Sequence, residues 1–317
     1  MPTIRRLVIS LFAGIGLSAI AAAAPHCVIL QGNDRLAILA SDGHVEWEMP
    51  WGAIHDIHVL ETGNIMVQRG SAAVVEIDLR TRQVVWAYDS AKSNGNQNTP
   101  VEVHSFQPLP DGRVLIAESG AGRLIEVDRE GRLMKTVQLK IDKPHVHHDT
   151  RLVRKLESGN YLVCHEADGA VREYDGASGK VVWEYLVPLF GREPREGHGP
   201  EGFGNQVFAA LRLENGNTLI STGNGHSVLE VTPGKEIAWS LEQHDLPGIV
   251  LAWVTTLQVL PSGNYVIGNC HAGPENPLLV EIEPKSKKVV WTLERFEEFG
   301  NSVSNSQLLD VPKGGRR

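Results

Sequence analysis

Thirteen histidines are spread along this 317-residue chain, and their densest run is KPHVHHD, Lys143 to Asp149. Neutral imidazole ligates zinc, copper, iron and nickel, and it exchanges protons near neutral pH. In an extended segment His145 and His147 alternate on one side, with His148 on the other. That alternation points to His147, joined by the distant His55 and His104, as a three-imidazole set for a divalent metal. His104 and His148 are the candidate catalytic proton-transfer groups, with Arg151 to stabilise charge. Asp56 or Asp149 would orient an imidazole from behind. Glu118 (in AESGAGR) and Arg154 (alternating with Arg151 in RLVRK) are candidate ligand-binding groups. The amides of Gln107, Asn205, Gln206 and Gln258 and the ring of Trp253 join them. Such a lining suits a small polar molecule, a carbohydrate in particular. His198, His226 and His244 read instead as solvated loop histidines.

These residues are far apart in sequence, and a repeated phrase supplies the elements that would gather them. DGHVEWEM (Asp42 to Met49), RQVVWAY (Arg82 to Tyr88), GKVVWEY (Gly179 to Tyr185), KEIAWSL (Lys235 to Leu241) and KKVVWTL (Lys287 to Leu293) are one strand written five times. A sixth copy, GRLMKTV (Gly131 to Val137), has Lys135 in place of tryptophan. Successive markers are separated by 39, 49, 48, 56 and 52 residues, a period that indicates a radial β array. Upstream of each lies a hairpin such as KLESGNYLVCH from Lys155 or VLPSGNYVIGN from Val259, whose glycine suits positive φ. A third strand follows, as in VVEIDL from Val74 and LVEIEP from Leu279. Four antiparallel strands per repeat, a WD40-like plan, predict an all-β, six-bladed propeller. Cys27 to Met49 hold only three strands, and VSNSQLLD (Val303 to Asp310) resembles a lone first strand. Pairing of these N- and C-terminal strands would close the ring and protect its edges.

In such a ring the inner strand of each blade starts on one face, the top, and the second strand returns to it. Ten of the thirteen histidines map to that face, whereas His26 and His44 map to the bottom and His58 lies further down its inner strand. PLFGREPREGHGPEGFGNQ (Pro188 to Gln206) and HAGPENP (His271 to Pro277) read as loops over the same face.

Residues 1–24 differ in kind. Arg5 and Arg6, the apolar run Leu7 to Ile20 and Ala21 to Ala24 form a secretory signal peptide, with cleavage expected after Ala22 or Ala23. The remainder, 25–317, reads as one exported domain, periplasmic or secreted, with no later stretch long enough to span a membrane. A net charge of −8, with no basic run among aromatics, argues against nucleic acid as a partner. Cys27, Cys164 and Cys270 fall at similar points of alternate repeats and read as three separate buried thiols.

EYDGASGKVVW (Glu173 to Trp183) resembles the tryptophan-docking repeat of the pyrroloquinoline-quinone-type (PQQ-like) propellers, with looser copies at Glu76 to Trp86 and Glu281 to Trp291. The resemblance implies tryptophans that lock adjacent blades. It covers quinone dehydrogenases, assembly scaffolds and relatives of arylsulfotransferases, so fold alone does not select a function. PQQ itself is not expected, because quinone dehydrogenases resemble larger, eight-bladed propellers with a vicinal cysteine pair. Three functions follow as expectations. One is a metal-dependent lyase or hydrolase acting on a polar substrate, similar in ingredients to propeller polysaccharide lyases. LPSGNYVIGN and the histidines before such segments resemble arylsulfotransferase repeats, which implies sulfuryl transfer through histidine. The third is a non-catalytic periplasmic binding or assembly scaffold.

Overall fold

Alternating apolar residues broken by glycine turns make hairpins, and the computed structural model carries that pattern around a complete ring. It describes residues 25–311 together with Arg316 and Arg317; the expected signal peptide lies outside the described residues. Blade 1 contains β1 (Val28–Gly32), β2 (Arg35–Leu39) and β3 (Val45–Pro50). Blade 2 contains β4 (Ile57–Val59), β5 (Ile65–Arg69), β6 (Ala73–Asp78) and β7 (Gln83–Asp89). Blade 3 contains β8 (Glu102–Pro108), β9 (Val114–Ser119), β10 (Arg123–Val127) and β11 (Leu133–Gln138). Blade 4 contains β12 (Val153–Lys155), β13 (Tyr161–His165), β14 (Ala170–Tyr174) and β15 (Val181–Leu186). Blade 5 contains β16 (Ala209–Arg212), β17 (Thr218–Ser221), β18 (Val228–Val231) and β19 (Ile237–Leu241). Blade 6 contains β20 (Trp253–Val259), β21 (Tyr265–Cys270), β22 (Leu279–Glu283) and β23 (Lys288–Leu293). The late strand β24 (Ser306–Leu308) pairs antiparallel with β1, Val28 opposite Leu308, and so completes blade 1.

The hairpin glycines Gly63, Gly112, Gly159, Gly216 and Gly263 all have φ between +83° and +89°, a region that a side chain would disfavour. Apolar side chains fill the spaces between blades: Met66, Val103, Phe106 and Ile116 between blades 2 and 3, for example, and Leu162, Val207, Ala210 and Ile220 between blades 4 and 5.

The repeated tryptophans are fasteners. Nε1 of Trp47, Trp86, Trp183 and Trp239 donates to the carbonyls of Leu79, Arg129, Pro233 and Pro284, at 2.9, 2.8, 3.1 and 3.0 Å. Each acceptor lies in the outer hairpin of the next blade. Lys135 does the same by other means, since its ammonium donates to the Gly176 carbonyl of blade 4. A second ladder runs through the third strands: Glu76, Glu126 and Glu173 pair with Arg129, Lys155 and Arg212 of the next blade. Glu281 of blade 6 takes His26 at 2.9 Å across the closure of the ring. The three cysteines are free, Cys164 and Cys270 buried and Cys27 half-buried.

Candidate functional site at the upper channel mouth

Three adjacent inner strands deliver the site. His55 ends the linker before β4, Glu102 and His104 open β8, and His147 lies on the turn that precedes β12. That turn corrects the extended reading of KPHVHHD: the His145 carbonyl accepts from the backbone N–H of His148 and of Asp149, both at 2.9 Å. Asp149 folds it by accepting from His145 N–H (2.6 Å) and Gly120 N–H (2.9 Å). A carboxylate that can cap its own turn thus overrides the alternation.

The turn brings His147 to His55 and His104. One ligand atom from each of the three rings can be chosen so that all lie within 4.8 Å of one another. Ring centroids are 4.6 Å apart for His55 and His104, 4.8 Å for His104 and His147, and 5.8 Å for His55 and His147. Glu102 stands among them, its Oε2 2.8 Å from His104 Nε2 and 2.6 Å from His147 Nδ1. Those two contacts, the His104 bond foremost, hold its carboxyl down at about 2. Burial, with neighbouring His104 and Arg151, pushes the His55 imidazole well below its usual range, and burial likewise lowers His104. Neutral imidazoles beside an ionised carboxylate are the protonation states that metal ligation requires.

Both sides of the rings are held. His55 Nδ1 lies 3.3 Å from Gln68 Oε1, which leaves Nε2 for the channel. His104 Nδ1 meets two neighbours that prefer opposite tautomers. An Arg151 N–H at 2.9 Å calls for an acceptor, and the Thr150 carbonyl at 3.2 Å calls for a donor. With Nδ1 accepting from Arg151, Nε2–H donates to Glu102 and both close contacts are satisfied. The opposite tautomer would set an Nε2 lone pair against the ionised carboxylate and an Nδ1–H against the Arg151 N–H, so these neighbours select the first form.

Of the other sequence candidates, Arg151 and His148 border the triad and the rest scatter. His148 sits outside the triad, its Nδ1 3.1 Å from Glu166, with its ring 5.0 Å from that of His147. Arg151 is buried, its Nε 2.5 Å from Glu166 and its Nη1 donating to the His147 carbonyl at 2.7 Å. Arg154 faces the channel below the site and is fixed on Asp56 at 2.9 and 3.1 Å, so Asp56 serves Arg154 rather than an imidazole. Glu118 is buried against Arg123 (2.6 Å) and Asn96, away from the rim its loop suggested. Gln107 accepts from Lys155 N–H near the lower end, while Gln258 accepts from Leu308 N–H beside the ring closure. Asn205 donates to the Val187 carbonyl, and Gln206 accepts from Asn224. Trp253 is buried under His198, the rings stacked at 4.8 Å. His198 is exposed as expected, but His226 is fully buried between the carbonyls of Ala252 (2.7 Å) and Gly202 (2.6 Å).

Glu102 is the residue that sequence reasoning missed. Its signal was the alternation in VEVH, which places Glu102 and His104 on one side of β8. The β8–β9 register shifts between Glu102 and Ser105, a bulge of the kind that re-aims side chains at sites.

Residues 32–293 match the PQQ-like repeat family described as outer membrane protein assembly factor BamB. The chain belongs to that family. Among curated proteins none matches it. The BamB-type ring is similar to a crystal structure of a protein of unknown function from Bacteroides caccae: TM-score 0.72, 23% identity, covering 89% of this chain and 98% of that one. It is also similar to virginiamycin B lyase from Staphylococcus aureus, with TM-score 0.53 and 9% identity over 88% of this chain and 78% of that one. A streptogramin B lyase structure gives TM-score 0.55 and 9% identity over 93% and 86% of the two chains. At these identities the likeness is one of fold. No helix among the described residues is long and apolar enough to cross a membrane.

Proposed function

We propose that this BamB-type propeller is an exported protein that binds a small polar ligand, a carbohydrate in particular, at a metal centre in its upper channel mouth. His55, His104 and His147 are the imidazole ligands. The reading is carried by one observation, the convergence of three ring ligand atoms within 4.8 Å. A divalent ion there would polarise a ligand oxygen or acidify a bound water. His148, braced by Glu166, is the adjacent imidazole available for proton transfer. Arg151 is engaged by Glu166 and His147, so it shapes the site rather than offering an open anion clamp, which favours this reading over sulfuryl transfer. Elemental analysis and titration calorimetry with zinc and manganese test it. The expected result is one ion per chain, bound at least tenfold more weakly after His104→Ala or His147→Ala. Chelator-treated protein that takes up neither ion would overturn it.

The family description favours a second reading, an assembly scaffold. Outer-strand pairs Val84–Val85, Leu133–Met134 and Val181–Val182 expose apolar surface on blades 2, 3 and 4. Capture of the same partner by wild-type protein and the histidine variants, lost on Val85→Lys with Val182→Lys, would support it.

A further inference from the structure

The lower end of the channel is built differently, from residues that the metal reading does not use. Arg316 adds to the inner strand of blade 6: its N–H donates to the Val259 carbonyl at 2.9 Å, and Val259 N–H donates back at 2.8 Å. Its guanidinium lies 3.7 Å from Glu214 and 3.9 Å from Glu157, both exposed on the rim. Arg317 turns inward, with Nη1 3.1 Å from His58 Nδ1. His58 Nε2 donates to the Phe106 carbonyl at 2.8 Å, which leaves Nδ1 as the acceptor that a guanidinium needs. Arg154 Nε donates to the Arg317 backbone oxygen at 3.1 Å, while its other nitrogens grip Asp56. Beside these residues opens a cavity of about 920 Å³, with Arg154, Glu157, Glu214, Arg316 and Arg317 in its lining.

We propose that the lower mouth is a binding site for an extended peptide bearing two consecutive arginines, and that Arg316–Arg317 of this chain is its resident occupant. The recognition combines main-chain pairing at a strand with separate places for alternate side chains, as in strand addition. One arginine meets two rim carboxylates, and the next meets a neutral imidazole inside the channel. Planar guanidinium suits both positions better than a compact ammonium. The occupant is also exchangeable. The Arg317 guanidinium sits on His58 close to the Arg154 guanidinium that holds Asp56, and burial together with Arg154 lowers Arg317 to about 9. A segment pulled in by main-chain bonds and pushed out by desolvation can be displaced by a competitor.

The test uses a fluorescein-labelled peptide of sequence VPKGGRR and fluorescence anisotropy. Protein lacking residues 316 and 317, and separately the Arg317→Ala variant of the full chain, should each bind it saturably, at least tenfold more tightly than wild type. A VPKGGKK peptide should bind at least tenfold more weakly, and Glu157→Gln with Glu214→Gln should weaken binding severalfold. Circular dichroism establishes that each variant retains the propeller. Failure of both folded variants to bind VPKGGRR, or equal binding by wild type, would overturn the proposal. Metal content is untouched by any of these outcomes, so the two sites fail or stand separately.

Discussion

The two mouths of the channel pose the same electrostatic problem and answer it with different residues. At the top, His104 and His147 share the Glu102 carboxylate; at the bottom, Arg154 is held on Asp56 and Arg317 on the neighbouring His58. Around Glu102, as around Asp56, two or more basic side chains gather near one carboxylate. Burial lowers His55 and His104 and keeps them neutral, and neutral rings have lone pairs to offer. Guanidiniums stay protonated at neutral pH, Arg317 included although it is lowered to about 9, so they must be held by geometry. The upper mouth is therefore chemically adaptable, and the lower one is a fixed clamp that selects by shape.

The largest effect should come from the group that the lower mouth depends on. Asp56 accepts from Arg154, Ser105 Oγ (3.0 Å), Phe106 N–H (3.2 Å) and Ile57 N–H (3.0 Å), all in the interior. Asp56→Ala strands a buried guanidinium and should cost about 3–5 kcal/mol in guanidinium-chloride unfolding. Glu102→Ala should cost far less, because the imidazoles it leaves behind are neutral or reach solvent. Equal losses at the two ends would break the contrast.

Acid titration is expected to sharpen it next. His58, beside Asp56, Arg154 and Arg317, and His165, near Arg172, Asp168 and Asp142, are both lowered from 6.5 to about 4, chiefly by burial. Each is neutral when folded, while the unfolded chain takes up its proton below pH 6.5. Stability should therefore be complete above that pH and fall as pH drops toward 4, by roughly 3 kcal/mol per group. His165 is fixed through the Asp149 carbonyl and the Tyr174 hydroxyl, both at 2.9 Å, so His165→Gln should flatten the slope without touching the upper rings. Urea unfolding at a series of pH values checks this.

How far these ends could be foreseen from sequence depends on what each is made of. Blade number, ring closure and the tryptophan fasteners were legible, because period and alternation are written into every repeat. The convergence of His55, His104 and His147 was legible too, since blade register alone places them at neighbouring inner-strand ends. The turn at KPHVHHD was not, as it depends on Asp149 capping from outside the alternation. Glu118 misled because AESGAGR looks like an exposed turn, whereas Arg123, five residues on, draws the carboxylate inside. Lys135 looked like a broken copy, yet its ammonium finds the kind of outer-hairpin carbonyl that a tryptophan N–H would. Nothing local to Arg316 and Arg317 announces their placement at the lower mouth, because their partners Val259, Glu214 and His58 belong to three different blades.

Glu102 tests the adaptable end at a smaller scale. If the carboxylate joins or braces the imidazole set, Glu102→Gln should reduce zinc affinity by about 10- to 100-fold while thermal stability changes little. Glu157→Gln at the opposite mouth should leave that affinity unchanged.

The smallest expected effect separates stability from recognition. Arg316 is about one-third exposed, and its rim partners Glu157 and Glu214 are almost fully exposed, at distances of 3.9 and 3.7 Å. Such solvated pairs contribute about 0–1 kcal/mol. Arg316→Ala preserves the main-chain pairing with Val259, so unfolding free energy should shift by less than about 0.5 kcal/mol. In the proposed strand addition the rim carboxylates bias the choice of side chain by attracting a cation and repelling an anion at that point. A large loss of stability in Arg316→Ala would mean that the rim pair holds the ring together, and the lower mouth would then be a structural seal rather than a selective site.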